Sequence, residues 1–386
     1  MSSRSFFVRF SAFNAFLFLG TGIQMPFLPL WLRSEGLSDS QISLIVAAMV
    51  AIRIFAMPLG TYLADLTGNR RRVIMLSTLA SFICYGLLYF VDGFLGLLVM
   101  AVLAAALFAP VGPLIEVFAI EGSAHYGIDY GRIRLWASLS FLSGSLLSGL
   151  LLEFVPVNAV ILLIAGAQGI GALATLLLPP DHGIVKPKTR QIRFSAVLVC
   201  VLAASFLIFA AASSIGQASH GLFYAMGSVY FSDLGYSEFT IGKLWAVAVI
   251  SEIVMFAFSN RIHKRFGSVN LIALGVSCGA LRWGLMALEP PLAIMYLAQT
   301  LHAGSFGLTH LGTMHYIRET VPDGMRNTVK GLYSALSGGI LLSASMWAAG
   351  PLYGALGGQA YWVMAACAAI ALVLALILAR ISPRAS

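Results

Sequence analysis

The sequence predicts an all-α polytopic membrane protein of twelve transmembrane helices, and three observations lead there. Residues 194–232 carry no formal charge, and stretches of that kind recur along the chain. Hydrophobic residues make up 59% of its 386 positions, whereas charged residues make up only 10%. A soluble helix needs a polar face, and a bilayer-spanning helix needs about 20 apolar residues with few charges. At roughly 30 residues per helix and connection, the length accommodates about a dozen spans.

Apolar runs bounded by charge and turn signals place helices 1 to 6 at 9–32, 40–64, 73–91, 94–120, 132–153 and 156–178. Helices 7 to 12 follow at 196–231, 238–261, 269–288, 291–317, 328–350 and 359–380. Helix 1 begins after Arg4 and Arg9 and so resembles a signal peptide. No Ala-x-Ala site closes its uncharged run before Arg33, however, so it reads as an uncleaved first span. Pro58 in helix 2, and Pro110 and Pro113 in helix 4, are compatible with membrane helices, where neighbours satisfy freed backbone groups. The two prolines of helix 4 predict a bend. Ser140, Gly144 and Ser148 of helix 5 recur at helical spacing and suit close helix–helix approach.

The charges set the expected orientation. With the N-terminus cytoplasmic, that side collects 19 of the 23 Lys and Arg residues, including Arg70, Arg71, Arg72, Arg132, Arg134 and the cluster from Lys186 to Arg193. Arg33 and Lys243 remain outside, and Arg53 and Arg282 fall within helices. The positive-inside rule therefore assigns both termini to the cytoplasm. The same placement removes nucleic acid from consideration, because the net charge of +8 lies in short topogenic clusters.

The longest polar connection, Pro179 to Ser195, falls near the midpoint. Asp65-Leu-Thr-Gly68-Asn-Arg70 after helix 2 is echoed by His263-Lys-Arg-Phe-Gly267 after helix 8, and Gly131 by Gly331. This offset of about 200 residues indicates two six-helix halves, 1–180 and 196–386, joined by a cytoplasmic linker at 181–195. Cys84, Cys200, Cys278 and Cys367 each stand alone in apolar runs and read as buried, inert thiols. No nucleotide-binding glycine loop and no His-Glu-x-x-His occur, so neither an enzyme, a metal nor a cofactor is expected.

The stretch Gly60-Thr-Tyr-Leu-Ala-Asp65-Leu-Thr-Gly68-Asn-Arg70-Arg71-Arg72 resembles the loop 2–3 signature of the major facilitator superfamily. Thr61 stands where Gly is usual, and Leu66 where Arg is usual. The resemblance implies that Asp65, Gly68, Arg70 and Arg71 belong to a cytoplasmic gate. Further stretches resemble the phenylpropionate-permease branch, akin to lactose permease and nucleoside–proton symporters. They are Tyr130-Gly-Arg132-Ile-Arg134-Leu-Trp136, Ala218-Ser-His220-Gly-Leu-Phe-Tyr224, Leu244-Trp-Ala-Val-Ala-Val-Ile-Ser-Glu252 and Leu301-His302-Ala-Gly-Ser-Phe-Gly-Leu-Thr-His310. This branch implies proton-coupled uptake, with an aromatic carboxylate such as 3-phenylpropionate among the cargoes.

An ionisable group at mid-bilayer costs about 2.5–3.5 kcal/mol on insertion scales, so each one is a functional candidate. Glu252 in helix 8 and His302 in helix 10 fall at matched depth and are assigned to proton coupling; a structural hydrogen bond is the competing reading. Arg53 and Arg282 are candidates for a substrate carboxylate, because guanidinium binds it through a fork of donors; structural or snorkelling cations are the alternative. Gln217, His220 and Tyr224 form a polar stripe on helix 7, expected to line a cavity or to seam two helices. Gln24 and His310 join the substrate-binding set, while His315 reads as structural. Glu116 is placed level with Arg132 and Arg134 as a gate ion pair.

The resulting expectation is a proton-coupled symporter, importing a small organic solute across a bacterial-type inner membrane by alternating access. Its partners are the substrate, protons and the lipid bilayer, and the protein is expected to be a monomer. Nucleoside or oligosaccharide symport, efflux, and a non-transporting scaffold of the same fold are the rivals. Charges retained at the midplane weigh against the scaffold.

Overall fold

The computed structural model describes residues 2–179 and 194–381. Among these residues there are helices and no strands; twelve long rods follow the expected order, with short helices Phe194–Val201 before the seventh and Ser259–Phe266 after the eighth. Helices 1 to 6 span Ser3–Ser34, Asp39–Thr67, Arg70–Leu88, Phe94–Tyr126, Tyr130–Leu151 and Val157–Leu177. Helices 7 to 9 span Ala204–Asp233, Glu238–Ala257 and Ser268–Ala287. Helix 10 runs as Leu292–Thr300 and Thr309–Thr320, helix 11 as Arg326–Ser334 and Leu342–Leu356, and helix 12 as Tyr361–Ile381. The linker expected at 181–195 falls almost wholly outside the described residues.

Among the described residues, ten segments are long and apolar enough to cross a bilayer. The last of them, Asp323–Ile381, holds both helix 11 and helix 12, parted at Gly357, whose φ of 55° a side chain would oppose. Helix 10 stands outside that set because it is interrupted and carries His302, Thr309, His310 and Thr313. Large apolar side chains such as Phe55, Leu66, Phe90, Phe154 and Val199 are exposed. Such an exterior is unfavourable in water and suits hydrocarbon, so the chain is a multi-pass membrane protein.

The chain divides into two compact units. The first is drawn from Met1–Lys186 and Gly227–Ala246, the second from Pro187–Met226 and Val247–Ser386. In the first unit, helix 1 packs along helices 5 and 6. The approach to helix 5 is close because both partners present glycine: a Cβ on Gly144 would meet Leu19 O, and one on Gly22 would meet the Phe141 backbone. Ser140 Oγ donates to Ala15 O across the same contact. A phenylalanine ladder of Phe6, Phe10 and Phe13 with Ile74, Leu114 and Phe118 forms the apolar core. Gly227–Ala246 joins this unit through Ser145 Oγ donating to Gly242 O at 3.1 Å and through the Arg33–Asp233 ion pair at 2.6 Å. In the second unit, helix 9 packs on helix 12, and helix 7 on helices 11 and 12. Its core gathers Phe206, Phe209, Ile272, Val276, Tyr316 and Val329.

Several helices continue past, or break inside, their expected bounds. Helix 4 is interrupted at Ala109–Pro110, as its prolines predict, and then runs to Tyr126 rather than 120. Helix 2 is interrupted at Ile52, immediately before Arg53. Helix 7 is interrupted at Ser219–His220 between two helical segments. Helices 10 and 11 contain π-helical turns over Ala303–Leu308 and Ala335–Leu341. Each π turn holds two glycines, and such turns recur at functional sites.

Candidate functional site

The second unit brings Arg282, His302 and His220, all buried, into one network with the partly covered Glu252, Gln217 and Tyr224. Arg282 of helix 9 is fully buried and donates in two directions from its fork. Nη2 reaches Gln299 Oε1 at 2.7 Å, and Nη1 reaches His302 Nδ1 at 2.9 Å and Ser305 Oγ at 3.5 Å. Its faces are covered by Phe223 and Trp283, whose ring centroids lie 4.5 and 4.4 Å from Cζ. Stacking of this kind offsets part of the cost of burying a cation. Among the described residues no carboxylate lies within ion-pair distance of Arg282, and its link to one runs through His302. The other imidazole nitrogen of His302, Nε2, faces Glu252 Oε2 at 3.5 Å.

The donor–acceptor chemistry of this chain is fixed by the arginine. Guanidinium can only donate, so His302 Nδ1 accepts and the ring proton sits on Nε2, directed at the Glu252 carboxylate. Protonating the ring at Nδ1 would require Arg282 to withdraw. The local backbone supports this alignment. The π turn begins immediately after His302, and Gly307 lets the turn lie against helix 8: a Cβ there would meet Met255 and approach Glu252 Cγ at 3.8 Å. Gln299 precedes His302 by three residues and shares its face, so helix 10 grips both ends of the fork.

Helix 7 closes the other side. The interruption at Ser219–His220 turns His220 so that Nδ1 faces Gln217 O at 3.1 Å and Nε2 faces Ser305 Oγ at 3.1 Å. Ser219 Oγ accepts from Trp283 Nε1 at 3.0 Å, which fixes the indole under Arg282. Tyr224 stacks on His220 at 5.7 Å, and Gln217 Nε2 donates to Phe306 O at 3.4 Å. Of the two readings drawn from the sequence for this stripe, the seam between helices describes His220, which is wholly buried. Gln217 and Tyr224 are only partly covered. His310 is exposed and stacks on Phe306, with ring centroids 5.9 Å apart.

Arg53 and Gln24 lie in the first unit. Tyr85 Oη donates to Gln24 Oε1 at 2.8 Å. Arg53 is exposed at the interruption of helix 2. Tyr85, which holds Gln24, is a polar partner that hydropathy alone does not reveal.

The expected gate residues separate into two groups. Arg70 is buried and pairs with Glu121 at 2.7 Å, with Phe118 under its guanidinium at 5.7 Å. Arg71 reaches Leu176 O at 3.5 Å, Arg132 lies over Phe7 at 5.1 Å, and Gly68 caps helix 2 at a φ of 62°. Asp65, Glu116 and Arg134 are exposed. The ion pair expected between Glu116 and Arg132 or Arg134 is not formed. Helix 4 continues six residues beyond its expected end, which carries Glu121 to the level of the basic cluster and leaves Glu116 short of it.

Comparison with known proteins agrees with this architecture. A family model described as MFS_1 like family matches residues 7–370. An Escherichia coli (strain K12) protein named "Probable 3-phenylpropionic acid transporter" is 27% identical over 361 residues, covering 92% of this chain and 94% of that protein. A maltose permease of Geobacillus stearothermophilus is 29% identical, covering 86% and 84%. Among solved structures, the nucleoside transporter NupG superposes with a TM-score of 0.83 at 15% identity, covering 97% and 98%, so it shares the fold. The relatives are membrane transporters rather than enzymes, and with twelve helices and a family match over nearly its whole length, the chain belongs to the MFS_1 like family of major facilitator transporters.

Proposed function

We infer that the chain is a proton-coupled symporter that imports a small organic carboxylate, with an aromatic acid such as 3-phenylpropionate as the first candidate. The observation that carries this reading is the Glu252–His302–Arg282 chain. A carboxylate linked to a buried cation through one imidazole makes a unit whose charge balance changes with a single proton. Glu252 is taken as the proton carrier, because His302 Nδ1 is already occupied by Arg282. His302 and Arg282 transmit the change. The cargo carboxylate is assigned to Arg53, which is exposed, rather than to Arg282, which is sealed beneath Phe223 and Trp283. Tyr85 and Gln24 supply a further polar pair in the same unit, and the carrier works by alternating access.

The maltose permease relationship favours a second reading, in which the hydrogen-bonded Gln24–Tyr85 pair holds sugar hydroxyls. The driving force separates the two. An anion carried with one proton moves no net charge, so only a pH gradient concentrates it. A neutral sugar carried with one proton is also concentrated by membrane potential, about 2.3 kcal/mol per 100 mV or roughly 50-fold. Proteoliposomes should therefore accumulate 3-phenylpropionate under an imposed pH gradient and not under a potassium diffusion potential alone. Maltose accumulation under the potential alone would replace the first reading with the second.

Orientation is proposed from the charge distribution, with both termini on the cytoplasmic face of an inner membrane and the protein monomeric. Single cysteines at positions 38 and 154 should react with an impermeant maleimide added to intact cells. Cysteines at 69 and 323 should react only after permeabilisation. The reverse pattern would invert the assignment.

A further inference from the structure

A second cluster of chemistry-bearing side chains lies far along helix 10 from the network around His302. The short helix Ser259–Phe266 follows helix 8 and ends at Gly267, whose φ of 73° turns the chain into helix 9. It carries His263. Four residues apart on helix 10, and hence on one face, stand His315 and Glu319. His263 Nε2 lies 2.9 Å from Glu319 Oε1. The His263 and His315 rings stack with centroids 3.5 Å apart and planes inclined by 14°. One ligand atom from each of the three residues falls within 4.8 Å of the others. The carboxylate is itself held, since Ser268 Oγ donates to Glu319 Oε2 at 2.7 Å.

We propose that His263, His315 and Glu319 form a binding site for a divalent transition metal of the zinc class, clamping the short helix after helix 8 to helix 10. A neutral imidazole offers a ring nitrogen as a ligand, and the stack brings two such rings together within reach of one carboxylate. His315 has no hydrogen-bond partner among the described residues, so a ring nitrogen is free to ligate. Two imidazoles and one carboxylate favour zinc, cobalt or nickel over magnesium or calcium, which take oxygen donors. The basic residues adjacent in sequence, Lys264 and Arg318, oppose a cation held by charge alone, so the selection rests on the imidazoles. Ser268 is the outer partner that orients the carboxylate. The three ligands leave a coordination position for water, and the site is reached by solvent, with His263 and Glu319 side chains 22% and 44% exposed. Binding requires the stacked rings to splay so that both nitrogens face one ion.

The test uses the purified full-length protein with its affinity tag removed. Titration with Co²⁺ should produce visible ligand-field absorption saturating at one equivalent, displaced by Zn²⁺. His263→Gln and His315→Gln should each abolish that absorption, and Ser268→Ala should weaken binding roughly 10- to 100-fold while keeping the band. Metal-free thermal unfolding of each variant establishes that it is folded. An independent measurement on the unaltered protein is protection by Zn²⁺ of His263 and His315 from diethyl pyrocarbonate, read by mass spectrometry. Absence of the cobalt band together with unprotected histidines would overturn the site, as would undiminished cobalt binding by a folded His263→Gln/His315→Gln double variant.

Discussion

Glu252→Gln is expected to abolish proton-driven accumulation while leaving exchange of cargo across the membrane largely intact. Glutamine keeps the shape and polarity of the protonated carboxyl but cannot release a proton. Reorientation of the loaded carrier does not require that release, whereas net accumulation does. For one proton per cycle, each unit of pH gradient supplies about 1.4 kcal/mol, or tenfold accumulation of an anionic cargo. The variant should therefore fall from roughly tenfold to no accumulation at one unit of gradient, with counterflow of labelled cargo within about twofold of the parent. Measuring both in the same proteoliposomes makes the result decisive: undiminished accumulation removes Glu252 from the mechanism. His302→Gln probes the link. If His302 only transmits the charge state of Glu252 to Arg282, driven uptake should be reduced and its pH dependence displaced. Complete loss with exchange intact would move the proton to His302 itself.

The helices and the charged residues within them were legible because both signals are coarse. An uncharged apolar run survives any error of a few residues, and a lone Glu, His or Arg inside one stands out. The twelve rods, and the meeting of Glu252, His302 and Arg282, follow from that. What could not be read was the local departure from helix. Hydropathy does not distinguish an α turn from the π turn at Ala303–Leu308, and Ser219–His220 carries no proline to mark its break. Uncharged polar partners were also silent: Gln299 and Ser305 look like ordinary interior residues until Arg282 is seen to need acceptors. The Glu116 misassignment has the same origin. An end at 120, as the sequence predicts for helix 4, sets Glu116 near the basic cluster; the helix runs to Tyr126, so Glu121 takes the partner. His315 read as structural because its companion His263 lies 52 positions earlier, beyond any local pattern.

Arg282 carries the second large effect, and its two substitutions separate charge from geometry. Arg282→Ala removes the guanidinium of the network and strands Gln299 Oε1 and His302 Nδ1 in an apolar surround. Leaving a buried acceptor unsatisfied costs about 1–3 kcal/mol and two are stranded here, so this variant should be poorly expressed or unfold below the parent temperature. Arg282→Lys keeps the charge but cannot span both partners, because an ammonium is a point donor where guanidinium is a fork. It should fold and exchange cargo, yet lose most of the roughly tenfold accumulation at one unit of gradient, because His302 is no longer held with its proton toward Glu252. The decisive comparison is the double variant. If Arg282 acts on coupling through His302 and Glu252, adding Arg282→Lys to Glu252→Gln should cause no further loss, since groups acting in one unit are not additive. If Arg282 instead binds the cargo carboxylate directly, the double variant should lose exchange as well, and the apparent KM for counterflow should rise in Arg282→Lys alone. A raised KM with unaltered coupling would transfer the carboxylate from Arg53 to Arg282. An unchanged KM for Arg282→Lys, beside a raised one for Arg53→Lys, is the outcome expected here. A guanidinium closed in by Phe223 and Trp283 has no face left for a ligand, whereas Arg53 is exposed at the break in helix 2.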